Sequence, residues 1–117
     1  MARKEKAVGD CFRWAYTYIK KHPNALLQQG LVVAPYPGIE KTPYEHAWVV
    51  DKGIVKDWQT MVAGFGGKYR GVGYPEAVWN ELWQPEHVRS FNQTDAMVTL
   101  ARQGHYGPWD GQHKVWG

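Results

Sequence analysis

A chain of 117 residues with 44% hydrophobic content, seven Trp and seven Tyr has material for one hydrophobic core and reads as a single domain over 1–117. Its 14 Lys and Arg against 11 Asp and Glu leave a net charge of +3, too mild to mark nucleic acid as a partner. One cysteine, Cys11, excludes an internal disulfide, and no Cys/His grouping has zinc-site spacing, so neither metal nor cofactor is expected and packing must hold the fold together.

Residues 1–8 carry Arg3, Lys4 and Lys6 and read as a flexible basic tail. No apolar h-region follows them, and no stretch approaches the roughly 20 apolar residues of a membrane span, so neither a signal peptide nor a membrane partner is expected and the cytoplasm is the default location. Asp10 has the character of an N-cap, after which Cys11, Trp14, Ala15, Tyr18 and Ile19 recur at helical spacing until Pro23. That places Cys11 in the first turn, where unpaired backbone N–H groups could stabilise a thiolate or an oxyanion.

Residues 25–33 are apolar and β-branched with Gly30 in their midst, which predicts a strand with a bulge. Residues 34–44 hold Pro35, Pro37, Gly38 and Pro43 and form a loop leading to His46, a wall for a cleft. Residues 45–60 read as a hairpin turning at 51–53. If Lys52 and Gly53 are the two central turn residues, Val50 pairs with Val55 and Trp48 with Asp57, and His46, Trp48, Val55, Asp57 and Gln59 share a face. A three-residue turn would instead send Asp57 to the opposite face.

The glycines at 64, 66, 67, 71 and 73 make 61–74 a turning segment, with Phe65, Tyr69 and Tyr74 as anchors. Gly64-Phe65-Gly66-Gly67-Lys68 lacks the spacing of a phosphate loop and a Ser or Thr after the lysine. Pro75 opens a helix over 76–83, with Val78, Trp79 and Leu82 inward, and Pro85 ends it. A strand follows at 88–91. Thr94-Asp95 caps a last helix with Ala96, Met97, Leu100 and Ala101 as its stripe and Gly104 as its stop. The aromatic stretch 105–110 packs down, and 111–117 frays.

Chemistry concentrates in three residues. Cys11, His46 and Asp57 stand in the chain order of a nucleophile, a base and an orienting acid. Gln59 is the alternative orienting residue, and Trp14, Trp48 and Trp58 are expected to line the cleft. A free cysteine is also among the residues most often buried, so the competing reading makes Cys11 a small core hydrophobe.

Gly9-x-Cys11-x-x-Trp14-Ala15, then His46-Ala47-Trp48-Val49, then Asp57, resembles the core of the transglutaminase-like branch of the papain-like cysteine-enzyme superfamily, and NlpC/P60-type peptidases share that order. The resemblance covers roughly residues 9–60. It implies an α+β fold in which an N-terminal helix packs on a small antiparallel β-sheet, a papain-like core, with additional short helices in the C-terminal half. It further implies Cys11 as nucleophile, His46 as general base and acid, and Asp57 as orienting carboxylate. The activity implied is cysteine-dependent acyl transfer on a protein or peptide: amide hydrolysis, deamidation or cross-linking. No glutamine precedes Cys11 to complete a papain-type oxyanion hole, which leaves the Cys11 backbone N–H as the one donor named. The ending from Thr94-Asp95 through Gly104-His105-Tyr106-Gly107-Pro108-Trp109-Asp110 is similar to small uncharacterised proteins of bacteriophages and bacteria. From that origin come the alternatives: a catalytically inactive binding module or inhibitor of a host protein, in the host cytoplasm, or a virion or assembly component.

Overall fold

The computed structural model describes residues 2–35 and 41–109, of which 2–9 are described by backbone alone. The proline-rich loop at 36–40 and the end at 110–117 lie outside the described residues. In chain order the elements are α1 (Ala2–Lys21), β1 (Leu26–Val32), β2 (Tyr44–Asp51), β3 (Ile54–Lys56), α2 (Trp58–Met61), a 3-10 turn (Gly67–Tyr69), β4 (Tyr74–Pro75), α3 (Glu76–Trp83), β5 (Glu86–Phe91) and α4 (Gln93–Gln103). The strands form one sheet in the order β4-β3-β2-β1-β5, and each pairing in it is antiparallel. This is the expected α+β class with the N-terminal helix packed on the sheet. Among the described residues no helix is long and apolar enough to cross a membrane.

The first helix departs from expectation. It begins at Ala2 and runs through Asp10 without a break, so the basic residues belong to its first turns rather than to a tail. Ala, Arg, Lys and Glu are strong helix formers and no proline interrupts them, while Gly9 costs only about 1 kcal/mol relative to Ala. Asp10 is therefore no N-cap, and its carboxylate instead accepts from Arg13. The buried stripe is also rotated. Cys11, Phe12, Ala15, Tyr16 and Ile19 enter the core, whereas Trp14 and Tyr18 pack at its margin.

Each face of the sheet has its own core. Leu27, Ala47, Val49 and Phe91 meet α1 and Ala96 of α4 on one face. Val32, Trp48 and Val55 meet Tyr74 and the α3 residues Trp79 and Trp83 on the other. Full burial of side chains of this kind stabilises by roughly 1.5–3 kcal/mol each. In α3 it is Trp79 and Trp83 that turn inward, Leu82 being exposed. In α4, Ala96 is buried and Met97 exposed. Asn92, not Thr94-Asp95, caps α4 by accepting from the Asp95 amide, and Gly104 ends it in the left-handed conformation as expected.

Strand register follows from the turn. Asp51 pairs with Ile54, Val50 with Val55 and Val49 with Lys56, so Lys52 and Gly53 are the two central residues, at φ 55° and 79°. Positive φ at both positions is the mirror-image turn whose twist suits a hairpin. Gly30 does mark an irregularity: the β1–β5 register shifts between Gln29 and Leu31. A Cβ at Gly30 would come within 2.9 Å of the Glu86 carbonyl oxygen on β5. The latter half of the expected hairpin is not strand. β3 stops at Lys56, and Asp57 caps the single turn of α2 by accepting from the Thr60 amide at 3.0 Å. Beyond Val49 the edge of β2 is thus left without a strand partner on that side.

The segment after α4, up to Trp109, is pinned across the sheet. Gln29, fully buried on β1, donates to the Tyr106 carbonyl at 3.2 Å and accepts from the Trp109 amide at 2.7 Å. Trp109 packs edge-on against Phe91. Gln29→Leu keeps the volume but strands a buried amide, so the expected loss is about 2 kcal/mol, read as a lower urea midpoint together with faster proteolysis after residue 104.

Candidate active site

β2 delivers the central side chain. Its alternation turns Tyr44, His46 and Trp48 to the α3 side and Ala47 and Val49 to the α1 side. His46 is 1% exposed. Its ring lies parallel to Trp83, with 5.5 Å between centroids and 2° between planes, and within 6.2 Å of Trp79 and 6.0 Å of Trp48. Tyr44 meets it edge-on at 5.7 Å. Trp48 lies in this aromatic layer, sealed at 1% exposure and donating to Gln28. It is a support for the imidazole rather than the cleft-lining residue expected.

Asp57 leaves the end of β3 and turns onto this histidine. His46 Nε2 and Asp57 Oδ2 are 2.7 Å apart, with Asp57 fully buried. The other carboxylate oxygen is occupied by the α2 cap. Both oxygens are thereby satisfied, which a buried carboxylate requires. The two-residue turn sets the face, but the acid reaches the ring from a helix cap and not from a strand pair.

The thiol comes from the opposite layer. Cys11 on α1 lines one cleft with His46, beside the unpaired edge of β2, and its proximity acts to raise the imidazole pKa. With Nε2 held by Asp57, Nδ1 is the ring nitrogen left for sulfur. Cys11, Phe12, Tyr44, Glu45, His46, Trp58 and Gln59 enclose a cleft of about 90 Å³. That space is enough for several water-sized groups. Trp58 also walls a second pocket of about 220 Å³, shared with Asp10, Arg13, Trp14 and Thr17. Trp58 lines the cleft, whereas Trp14 lines this second pocket and not the cleft expected for it.

Two sequence expectations need correction. Cys11 stands midway along the 20-residue α1, where its backbone N–H belongs to the helical ladder four residues back. It is not a free oxyanion donor. Gln59 does not orient His46, since Asp57 holds that position. Gln59 instead lines the cleft with Tyr44, and its Oε1 is buried without a partner. Tyr44 was missed as a site residue. The available signal was its place two residues before His46, on the same face of a strand.

Burial opposes a charge on His46, but its hydrogen bond to the Asp57 carboxylate and the nearby Cys11 overcome it and hold the imidazole up at about 9. Burial likewise opposes charge on Asp57, yet the His46 contact and the Thr60 amide pull its carboxyl below the usual range. Burial keeps the Tyr44 phenol protonated, raised to about 12, with the nearby Cys11 acting in the same direction and Gln59 against it. No family model, curated protein or solved structure matches this chain.

These shifts fix the sign of the pH dependence. The raised His46 contributes stability that is fully present below its ordinary value of 6.5 and is lost as pH rises through about 9. The depressed Asp57 contributes stability present above the ordinary carboxylate range and lost as pH falls. The urea midpoint is therefore expected to decline from pH 6.5 to 9, with the slope flattened in His46→Gln. An imidazole NMR titration midpoint below 6.5 would mean that burial outweighs the carboxylate.

Proposed function

We propose that the chain is a cysteine-dependent acyl-transfer enzyme with a papain-like core, acting on an amide or ester of a protein or peptide. The observation that carries the reading is the buried 2.7 Å contact of His46 Nε2 with Asp57 Oδ2 behind a cleft that also contains Cys11. An orienting carboxylate on one ring nitrogen leaves the other to exchange a proton with sulfur. A histidine protonated through neutral pH gives a thiolate its counter-ion and carries the proton that the leaving group will need.

In this reaction Cys11 sulfur attacks the carbonyl carbon and a C–S bond forms while the C=O electron pair moves to oxygen. The tetrahedral species then expels the amine or alcohol, which takes the proton from His46 Nδ1. Water, activated by the now neutral imidazole, attacks the thioester and returns Cys11. An amine in place of water gives cross-linking by the same steps.

A binding module without catalysis is the second reading. It is favoured by the 6% exposure of Cys11 and by Val62 and Val72, each more than half exposed in the glycine-rich segment that follows the cleft. Iodoacetamide separates the two. The enzyme reading expects Cys11 in the native protein to alkylate well below pH 8, and expects Asp57→Asn to slow that reaction. Alkylation only on unfolding, at the urea midpoint, would leave the binding module standing.

Substitution tests must respect burial. Cys11→Ala should abolish acyl transfer at a stability cost of about 1 kcal/mol. His46→Ala leaves Asp57 buried without its partner and opens a void beneath Trp83, so its expected cost is about 3–5 kcal/mol, measured by chemical denaturation. His46→Ala is therefore a test of folding before it is one of chemistry.

A further inference from the structure

Six tryptophans fall among the described residues, and four of them, Trp48, Trp79, Trp83 and Trp109, are at most 1% exposed. They fill the two cores, the usual employment of an indole in a small domain. Trp14 of α1 and Trp58 of α2 break that pattern, for each packs against the core beneath α1 yet stays only partly buried. Both open onto one pocket of about 220 Å³, completed by Asp10, Arg13 and Thr17. The four α1 residues are related by steps of three and four, which puts them on one ridge of the helix. Two links join this pocket to the reactive sulfur. Trp58 is a wall common to the pocket and to the cleft of Cys11 and His46. Trp14 follows Cys11 by three residues, a spacing that sets Cβ atoms about 5–6 Å apart on a helix.

We infer that this pocket is a substrate subsite that takes an uncharged aromatic side chain of the protein or peptide whose carbonyl lies at Cys11. The inference rests on the acyl-transfer reading and names the feature of the substrate that the site selects. Size sets the first limit. Pockets for drug-sized ligands run from roughly 300 to 1,000 Å³, so this one suits a single side chain. Charge sets the second. Arg13 Nη2 and Asp10 Oδ1 stand 3.3 Å apart, and the two charges cancel. A cationic side chain entering the pocket meets the guanidinium as well as the carboxylate, and an anionic one meets the same conflict in reverse. Thr17 adds only a neutral hydroxyl. The walls decide between aromatic and aliphatic occupants, because two indoles gain from a ring beyond the area it covers. A guanidinium likewise prefers an aromatic face to a hydrocarbon chain.

N-substituted 2-chloroacetamides are suitable probes. Cys11 sulfur displaces chloride from the same saturated carbon in each: the C–S bond forms as the C–Cl bond breaks, and chloride leaves with the electron pair. The reacting end is therefore constant and only the group carried on nitrogen changes. N-Benzyl presents a ring, N-butyl an aliphatic chain of similar reach, N-(2-aminoethyl) a cation and N-carboxymethyl an anion. Dividing each rate at Cys11 by the rate of the same reagent with glutathione removes differences in intrinsic reactivity.

The experiment follows modification of native Cys11 by intact mass at pH 7 in wild type, Trp14→Leu and Asp10→Asn. In wild type the benzyl reagent is expected to react about tenfold faster than the butyl reagent after normalisation, with both charged reagents slower than benzyl. Trp14→Leu keeps an apolar wall but removes one indole, so the benzyl preference should shrink to about twofold while the butyl rate holds. Asp10→Asn leaves Arg13 without its counter-charge, and the carboxymethyl reagent should gain about threefold on benzyl. Equal benzyl and butyl rates in wild type, a benzyl preference that survives Trp14→Leu, or a charged reagent faster than benzyl each overturns the subsite. If Trp14→Leu does not fold, Asp10→Asn decides: an unchanged ratio of carboxymethyl to benzyl there overturns it. Alkylation of wild type without preference removes the subsite alone, whereas failure of native Cys11 to react with any of the four reagents overturns the acyl-transfer reading and the subsite with it.

Discussion

The buried contact between His46 and Asp57 is the constraint around which the rest of the molecule is arranged. A carboxylate and an imidazolium removed from water are costly unless each polar atom finds a partner. Here both Asp57 oxygens are used, one by the ring and one by the Thr60 amide. The imidazole faces Trp83, Trp79 and Trp48, and aromatic faces attract a cation within about 6 Å. The tryptophans that make this small chain look like a crowded core are thus also the medium in which one protonated ring is held.

The brevity of β3 opens the sheet beside that pair. A longer β3 would continue to pair with β2 beyond Val49 and close the sheet between the two helical layers. Ending at Lys56, it lets Asp57 fold back, starts α2, and leaves an opening at the strand edge. A thiol from the α1 layer and an imidazole from the α3 layer, which a complete sheet would keep apart, meet there. The cleft is therefore a product of the sheet stopping early rather than of a groove laid over it.

Where local rules govern, the sequence was readable. Lys52-Gly53 admits the positive φ pair of a two-residue turn, and that turn alone put His46 and Asp57 on one side. Gly30 and Gly104 marked the irregularity and the stop they were expected to mark. The errors arose where a residue had two competing roles. Asp10 looks like an N-cap because Asp favours that position, yet a helix former precedes it at nearly every place and the helix had no reason to wait. Asp57 was read as a strand residue because it follows Ile54-Val55-Lys56, although Asp-x-x-Thr is also a helix start, and the cap prevailed. Tyr44 passed for the end of a proline-rich loop, whereas it opens β2 and lines the cleft. The resemblance pointed to Cys11, His46 and Asp57, but could not supply these local geometries.

One carboxylate does two jobs in this fold, and that bears on how sequence drift in such chains should be read. Asp57 terminates a strand and starts a helix as well as gripping the imidazole. A descendant without the proposed chemistry would still need the acid to shape α2 and to satisfy the ring, whereas nothing architectural beyond a small apolar volume holds the sulfur at position 11. Aspartate and histidine at these places are thus markers of fold, and in any wider collection of such chains the thiol is the residue whose presence or loss would bear on the proposed chemistry.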